Sequence, residues 1–311
     1  MPERRSGFIV NYGTQTVLFL SRNVIVEGFL LFVVSIWALN FSVVKYSLNE
    51  IDPLSFNAFR FIFAIAFIWI IVVVRGIKIR IDRKDWAKLA GLALLGNLIY
   101  QLLFIFGLDL TFSANAAVML GTIPVWTALF SHVFFEEKLT RIRGFGVFFA
   151  FAGVALIMGG GADGFDIGTS TFTGDLIIIL AAMVFATYTL FSKSFLYKYT
   201  PIELSTVVMT VGGIGLILVA LPDLLSLDYS EVSWAAYGGA LYSGVFAIGV
   251  AYLVWNYGIR QVGAVRTSTF QNLVPVLGVI LGFFLLGETL TLIQYSGAGS
   301  VILGIVLARW R

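Results

Sequence analysis

Ten stretches of this chain stay apolar on every side for the length of a helix that crosses a bilayer. Such a helix needs about 20 apolar residues. The runs near 24–45, 54–74, 86–107, 112–135, 143–159, 174–197, 203–221, 234–258, 265–286 and 291–308 approach or meet that length. Barrel strands would be about 10 residues long and would alternate polar with apolar. These runs do neither, so the pattern predicts an all-α integral membrane protein of ten transmembrane helices with the lipid bilayer as its solvent.

Composition agrees and removes several function classes. Of 311 residues, 59% are apolar and 12% charged, about half the charge of a soluble domain. With no Cys and one His, disulfides, thiolate metal sites and most zinc or Ser-His-Asp arrangements fall away. No metal, cofactor or nucleic-acid partner is expected. An intramembrane enzyme would need a nucleophile–base pair or a metal cluster within the bilayer, and His132 near an interface supplies neither. A channel would need pore loops or charged rings, and none is visible.

Charge placement sets an orientation. If the N-terminus lies inside, the inward segments carry 18 of the 20 Lys and Arg residues, while Glu50, Asp52, Asp109, Asp163, Asp166, Asp223, Asp228, Glu231 and Glu288 lie on the other side. The positive-inside rule then predicts both termini cytoplasmic. The two remaining cations are Lys45, at the outer end of the first span, and Arg60, about six residues into the second. Arg60 is expected to snorkel to headgroups or to pair with a nearby acid.

The chain divides into a segment 1–23, a first half 24–160, a Gly-rich linker 161–173 and a second half 174–309. An offset of 151 residues aligns Pro124-Val125 with Pro275-Val276, Gly107 with Gly258, Glu137 with Glu288, Leu139-Thr140 with Leu290-Thr291, Gly146 with Gly297 and Gly153 with Gly304. A slightly shorter offset aligns Trp37-Ala38 with Phe185-Ala186, Lys45 with Lys193 and Pro53 with Pro201. Five spans per half is an odd number, so the second half is expected to be inverted, with Glu137 inside and Glu288 outside. Inverted repeats of this kind build alternating-access carriers whose site lies between the halves near mid-membrane.

The residues just aligned also carry a family resemblance. Trp37-Ala38-x-Asn40-Phe41 ending at Lys45, Asp52-Pro53-Leu54 followed by Phe59-Arg60-Phe61, and Pro124 followed by Glu137-x-Leu139-Thr140 resemble the drug/metabolite transporter superfamily, in its ten-helix branch of two EamA-type repeats. Within that branch the sequence is most similar to bacterial aromatic amino acid exporters. The resemblance implies a multi-pass protein of the bacterial inner membrane that exports amino acids or other small metabolites through a central cavity.

Polar side chains in hydrocarbon usually face the bundle interior. On the third helix Asn97, Tyr100, Gln101 and Phe104 recur at i, i+3, i+4 and i+7, on one face. Tyr252 and Trp255 are their counterparts in the second half, with Asn256 next in sequence. Amides and rings on one surface suit an amphipathic, amino acid-like solute. Trp37, Asn40 and Tyr188 are further wall candidates. Pro124 and Pro275, each read as mid-helix, are expected to bend their spans as gates and to free backbone carbonyls among Met119, Gln271 and Asn272. Glu27 is read as a first-turn acid that complements a helix dipole. No carboxylate is placed at mid-membrane, and a neutral cavity argues against phosphate-bearing solutes. Small residues at Gly146, Ala150, Gly153, Ser296, Ser300 and Gly304 suit close helix packing, either onto the bundle or between two copies in a homodimer.

Overall fold

The computed structural model describes residues 13–135, 141–160, 170–274 and 291–308, with isolated positions between 277 and 287. All regular structure among them is helical. Seven helices are long and apolar enough to cross a membrane: Val24–Ser47, Pro53–Val74, Arg83–Leu110, Ser113–Phe134, Ser170–Leu196, Pro201–Val219 and Trp234–Val262. They coincide with seven of the ten expected spans. Two further helices, Arg141–Gly159 and Leu292–Ala308, fall at the fifth and tenth expected spans. Most of 265–286, with Pro275, lies outside the described residues, as do Glu137, Glu288 and most of the 161–173 linker.

Local chemistry starts the spans where the sequence permits. Asp52 accepts a hydrogen bond from the Ser55 amide at 2.9 Å, with Pro53 in the first helical position. Thr200 and Glu203 form a reciprocal capping box around Pro201. Proline is tolerated there because its missing N–H would have no helical partner. The first helix runs from Gly13 to Ser47, so Glu27 sits well inside it rather than in a first turn. Its carboxylate forms an ion pair with Arg266 instead.

Polarity is inverted relative to a water-soluble fold. Val73, at 72% exposure, is typical of an apolar outer surface that also carries Phe148 and Leu218, whereas Asn57, Asn97, Gln101 and Asn256 are buried. Hydrocarbon outside and amides inside is the distribution a bilayer selects. The protein is therefore a multi-pass membrane protein.

Three spans depart from regular α-helix. Residues Leu94–Ile99 in the third and Ser243–Val250 in the helix Trp234–Val262 are π-helical. At the 151-residue offset the second segment covers the counterpart of the first. The fourth span breaks between Leu120 and Ile123, where the Thr122 amide donates to the Met119 carbonyl at 3.1 Å. Pro124 thus occupies the first turn of a new helix instead of bending a continuous one, which corrects its mid-helix reading. Proline is well suited to the first turn after the break, where its missing N–H costs nothing.

The helices Arg141–Gly159 and Leu292–Ala308 pack along their small residues. A methyl group on Gly153 would lie 2.5 Å from the Gly297 carbonyl oxygen, and one on Gly304 would lie 2.4 Å from the Ala150 nitrogen. Ser300 donates across the seam to the Phe149 carbonyl at 2.8 Å. The faces considered for a homodimer therefore meet each other within one chain, and a dimer through them would have to part this pair. At one end of the bundle the Lys45 ammonium donates to the carbonyls of Leu108, Asp109 and Thr111 at 2.8–2.9 Å. It serves as a cationic cap on the third span.

Candidate functional site

A narrow central cavity lies where the first, second, third and fourth spans meet the helices Ser170–Leu196 and Trp234–Val262 and the turn around Gln271. Its walls include Trp37, Asn40, Phe41, Arg60, Tyr100, Gln101, Phe104, Phe185, Tyr252 and Gln271. The volume open to the centres of water molecules is about 40 Å³, room for about three waters at 10–15 Å³ each.

Rings close most of the space. Trp37 and Trp255 have centroids 5.1 Å apart, and Tyr100 and Phe185 are 4.8 Å apart. Phe185 also meets Tyr188, Tyr252 and Trp255 at 5.7–6.0 Å. Offset and edge-on arrangements like these stabilise a pair by about 0.5–1.5 kcal/mol beyond burial. The ring portion of the wall is therefore apolar and closely packed.

A polar network crosses this wall. Arg60, 2% exposed, donates from Nε to Ser243 Oγ at 2.6 Å, and from Nη1 to Asn57 Oδ1 at 2.9 Å and Gln101 Oε1 at 3.2 Å. Gln101 Nε2 donates to the Tyr252 hydroxyl at 3.2 Å, and that hydroxyl donates to the Gly96 carbonyl at 3.4 Å. Trp37 Nε1 donates to the Ala247 carbonyl at 2.9 Å. Gly96 and Ala247 are counterparts at the 151-residue offset, and each lies in a π-helical segment. Both wide turns thus offer a carbonyl to the cavity wall, in line with the frequent placement of π turns at functional sites.

Of the residues singled out from sequence, Trp37, Asn40, Tyr100, Gln101, Tyr252 and Gln271 line the cavity. Tyr188 and Trp255 stand behind that lining, in ring contact with Tyr252 and with Trp37 respectively. Asn256 turns away and donates to Ser205 Oγ at 2.8 Å. Met119 is buried in the core outside the lining, and the side chain of Asn272 lies outside the described residues. Asn97 is buried but does not share the cavity face with Tyr100, Gln101 and Phe104. The reason is the π segment Leu94–Ile99. One extra residue in a turn rotates the downstream helix by about 100° relative to a continuous α-helix.

Sequence reasoning misplaced Arg60 and passed over Asp175. Arg60 neither snorkels nor joins an acid: among the described residues no carboxylate forms an ion pair with it. Its guanidinium faces Phe104 and Phe56, with centroids 5.5 and 5.9 Å away. The cavity is therefore not neutral. The signal available in the sequence was a cation inside an apolar run, six residues from the nearest end. Asp175 is buried near the start of the helix Ser170–Leu196 and accepts from Thr111 Oγ1 at 2.6 Å and from Asn115 Nδ2 at 3.3 Å. It stands apart from the cavity lining.

The EamA-like transporter family model matches this chain twice, over residues 25–159 and 172–310. The chain belongs to the EamA-like transporter family. Among its relatives are the uncharacterized transporter YyaM of Bacillus subtilis, 33% identical over 269 residues (86% of this chain, 88% of the relative), and an uncharacterized transporter of Archaeoglobus fulgidus, 30% identical over 274 residues (88% and 95%). A solved crystal structure superposes with a TM-score of 0.66 at 19% identity, covering 93% of this chain and 96% of that one. That likeness concerns the fold alone. Family and relatives point to a membrane transporter and away from an enzyme.

Proposed function

We propose that this EamA-like transporter is a secondary carrier that exports small amphipathic solutes, aromatic and other neutral amino acids foremost, by alternating access at the central cavity. The observation that carries this reading is the cavity itself: a buried space walled by rings and amides drawn from both halves of the chain. Rings give an aromatic body a surface to stack on, while amides orient its polar end.

Under this reading the chain has ten spans in two inverted five-helix repeats, 24–160 and 174–309, joined by the linker 161–173, with both termini on the cytoplasmic face of the bacterial inner membrane. The double match to one family model and the recurrence of a π-helical segment at the 151-residue offset support the repeat. The two repeats rock about the cavity, and the broken helix at Pro124, with its counterpart at Pro275, acts as gate. A homodimer would form through faces other than the internal small-residue seam.

Two experiments test this. The chain has no native Cys, so single cysteines introduced at 137 and 288 can be labelled without background; the inverted arrangement requires opposite faces of the membrane, and labelling from one face refutes it. Counterflow in proteoliposomes with labelled phenylalanine, tryptophan and leucine should show exchange. Trp255→Ala and Gln101→Ala should each reduce that exchange several-fold without loss of expression. Wild-type rates in both variants would remove the cavity from the transport path.

A further inference from the structure

We propose that Arg60 is an anion receptor, and that the solute taken by the central cavity carries a carboxylate beside its apolar body. This rests on the reading of that cavity as the solute site.

Three observations lead there. A guanidinium has five donor hydrogens, and among the described residues Arg60 spends three hydrogen bonds, all through Nε and Nη1 and all on neutral acceptors. An ionised group in a membrane interior is costly unless an opposite charge joins it, yet no carboxylate among the described residues forms an ion pair with Arg60. Arg60 also lines the cavity, so the absent countercharge can arrive with the solute. Ser243, Asn57 and Gln101 hold Nε and Nη1 from elements in both halves, and Nη2 keeps both of its hydrogens unspent among the described residues. The two N–H groups left on Nη2 can hold a carboxylate oxygen by charge-assisted hydrogen bonding, through one nitrogen rather than a two-nitrogen fork.

The rest of the cavity completes the complement. Asn40 Oδ1 and Gln271 Oε1 are buried without a hydrogen-bond partner among the described residues, and both residues line the same space. Orphaned acceptors of this kind call for donors, which an ammonium group supplies. One cation and two vacant acceptors in the lining of a single aromatic-walled space match a zwitterion with an apolar side chain. A pyrophosphate would need several cations, and the described lining holds one.

The test compares binding of L-phenylalanine, 3-phenylpropionate and L-phenylalaninamide to the purified full-length protein in nanodiscs by titration calorimetry. Wild type should bind both carboxylates at least tenfold more tightly than the amide. Arg60→Gln should abolish that preference and Arg60→Lys should keep part of it. If the amide binds wild type as well as the acids do, if neither acid binds, or if the preference survives Arg60→Gln, the proposal is overturned. The wild-type ratio needs no variant, so a misfolded substitution leaves the test intact. Acids that bind through Arg60 but show no counterflow would uphold the anion receptor and sink the transport reading instead.

Discussion

Arg60 and Asp175 are the two charged side chains buried among the described residues, each inside an apolar span and each among neutral partners. Asp175 is enclosed by Thr111 and Asn115, and Asn115 Oδ1 in turn accepts from Gln294 at 3.4 Å. That cluster ties the third and fourth spans to the helices Ser170–Leu196 and Leu292–Ala308 and has no part in the cavity wall. Arg60 has comparable burial, but it lines the cavity and its Nη2 makes no hydrogen bond among the described residues. A buried charge with its bonding contained by the protein holds helices together, whereas one with capacity left over beside a chamber is equipped to bind.

The contrast can be broken most easily at Arg60. Truncating one side of a buried charge pair costs about 2–5 kcal/mol, so Arg60→Gln should lower counterflow of phenylalanine by at least about 30-fold; near-normal exchange would make Arg60 structural, like Asp175. A control with no charge at all is Gly153→Val, whose methyls would meet the Gly297 carbonyl. Overpacking of this kind costs about 1–3 kcal/mol, and it should lower the thermal midpoint while leaving the acid-to-amide binding ratio unchanged. Asp175→Ala leaves Thr111 and Asn115 without their acceptor, a loss of about 1–3 kcal/mol. Its midpoint should fall while solute affinity holds, and a matching loss of affinity would erase the distinction between the two charges.

The smallest effect is expected at the surface. Lys198 forms ion pairs with Asp82 and Asp85, and those partners hold its ammonium above its ordinary pKa. A raised folded-state value stabilises at every pH below the ordinary lysine pKa of about 10.4 and is lost only as pH climbs through the folded value. Thermal midpoints of wild type and Lys198→Ala should therefore differ little, and by a constant amount, between pH 6 and 9. Salt should narrow the gap.

Much of the fold is legible because hydrocarbon demands long apolar runs, and seven expected spans have described counterparts close to their predicted limits. Depth can be read by counting residues, but rotation cannot. Arg60 reads as an interface residue because only its distance from the end of the run is visible. Asn97 reads as sharing the Gln101 face because nothing in Leu94–Ile99 announces an extra residue in the turn. Pro124 is recognisable as a disruption, yet only the three-dimensional path distinguishes a bend from a stop and restart at Gly121-Thr122. Asp175 sits so close to a polar linker that its burial depends on Thr111 and Asn115, which are remote in sequence.

The ring-closed chamber has a consequence for any measured Kd. If the ring contacts hold this space to a few waters, a guest of phenylalanine's size enters only once they part. A receptor that is open for a fraction f of the time shows a dissociation constant larger by 1/f. If dilation occupies about one part in a hundred, affinity weakens about a hundredfold with every contact still correct. Phe185 is wedged against Trp37, Tyr100 and Trp255, so trimming it removes contacts yet favours the dilated form. Tighter binding in Phe185→Ala than in the intact protein would mark a chamber that rests shut, whereas weaker binding would mark Phe185 as a contact the guest needs.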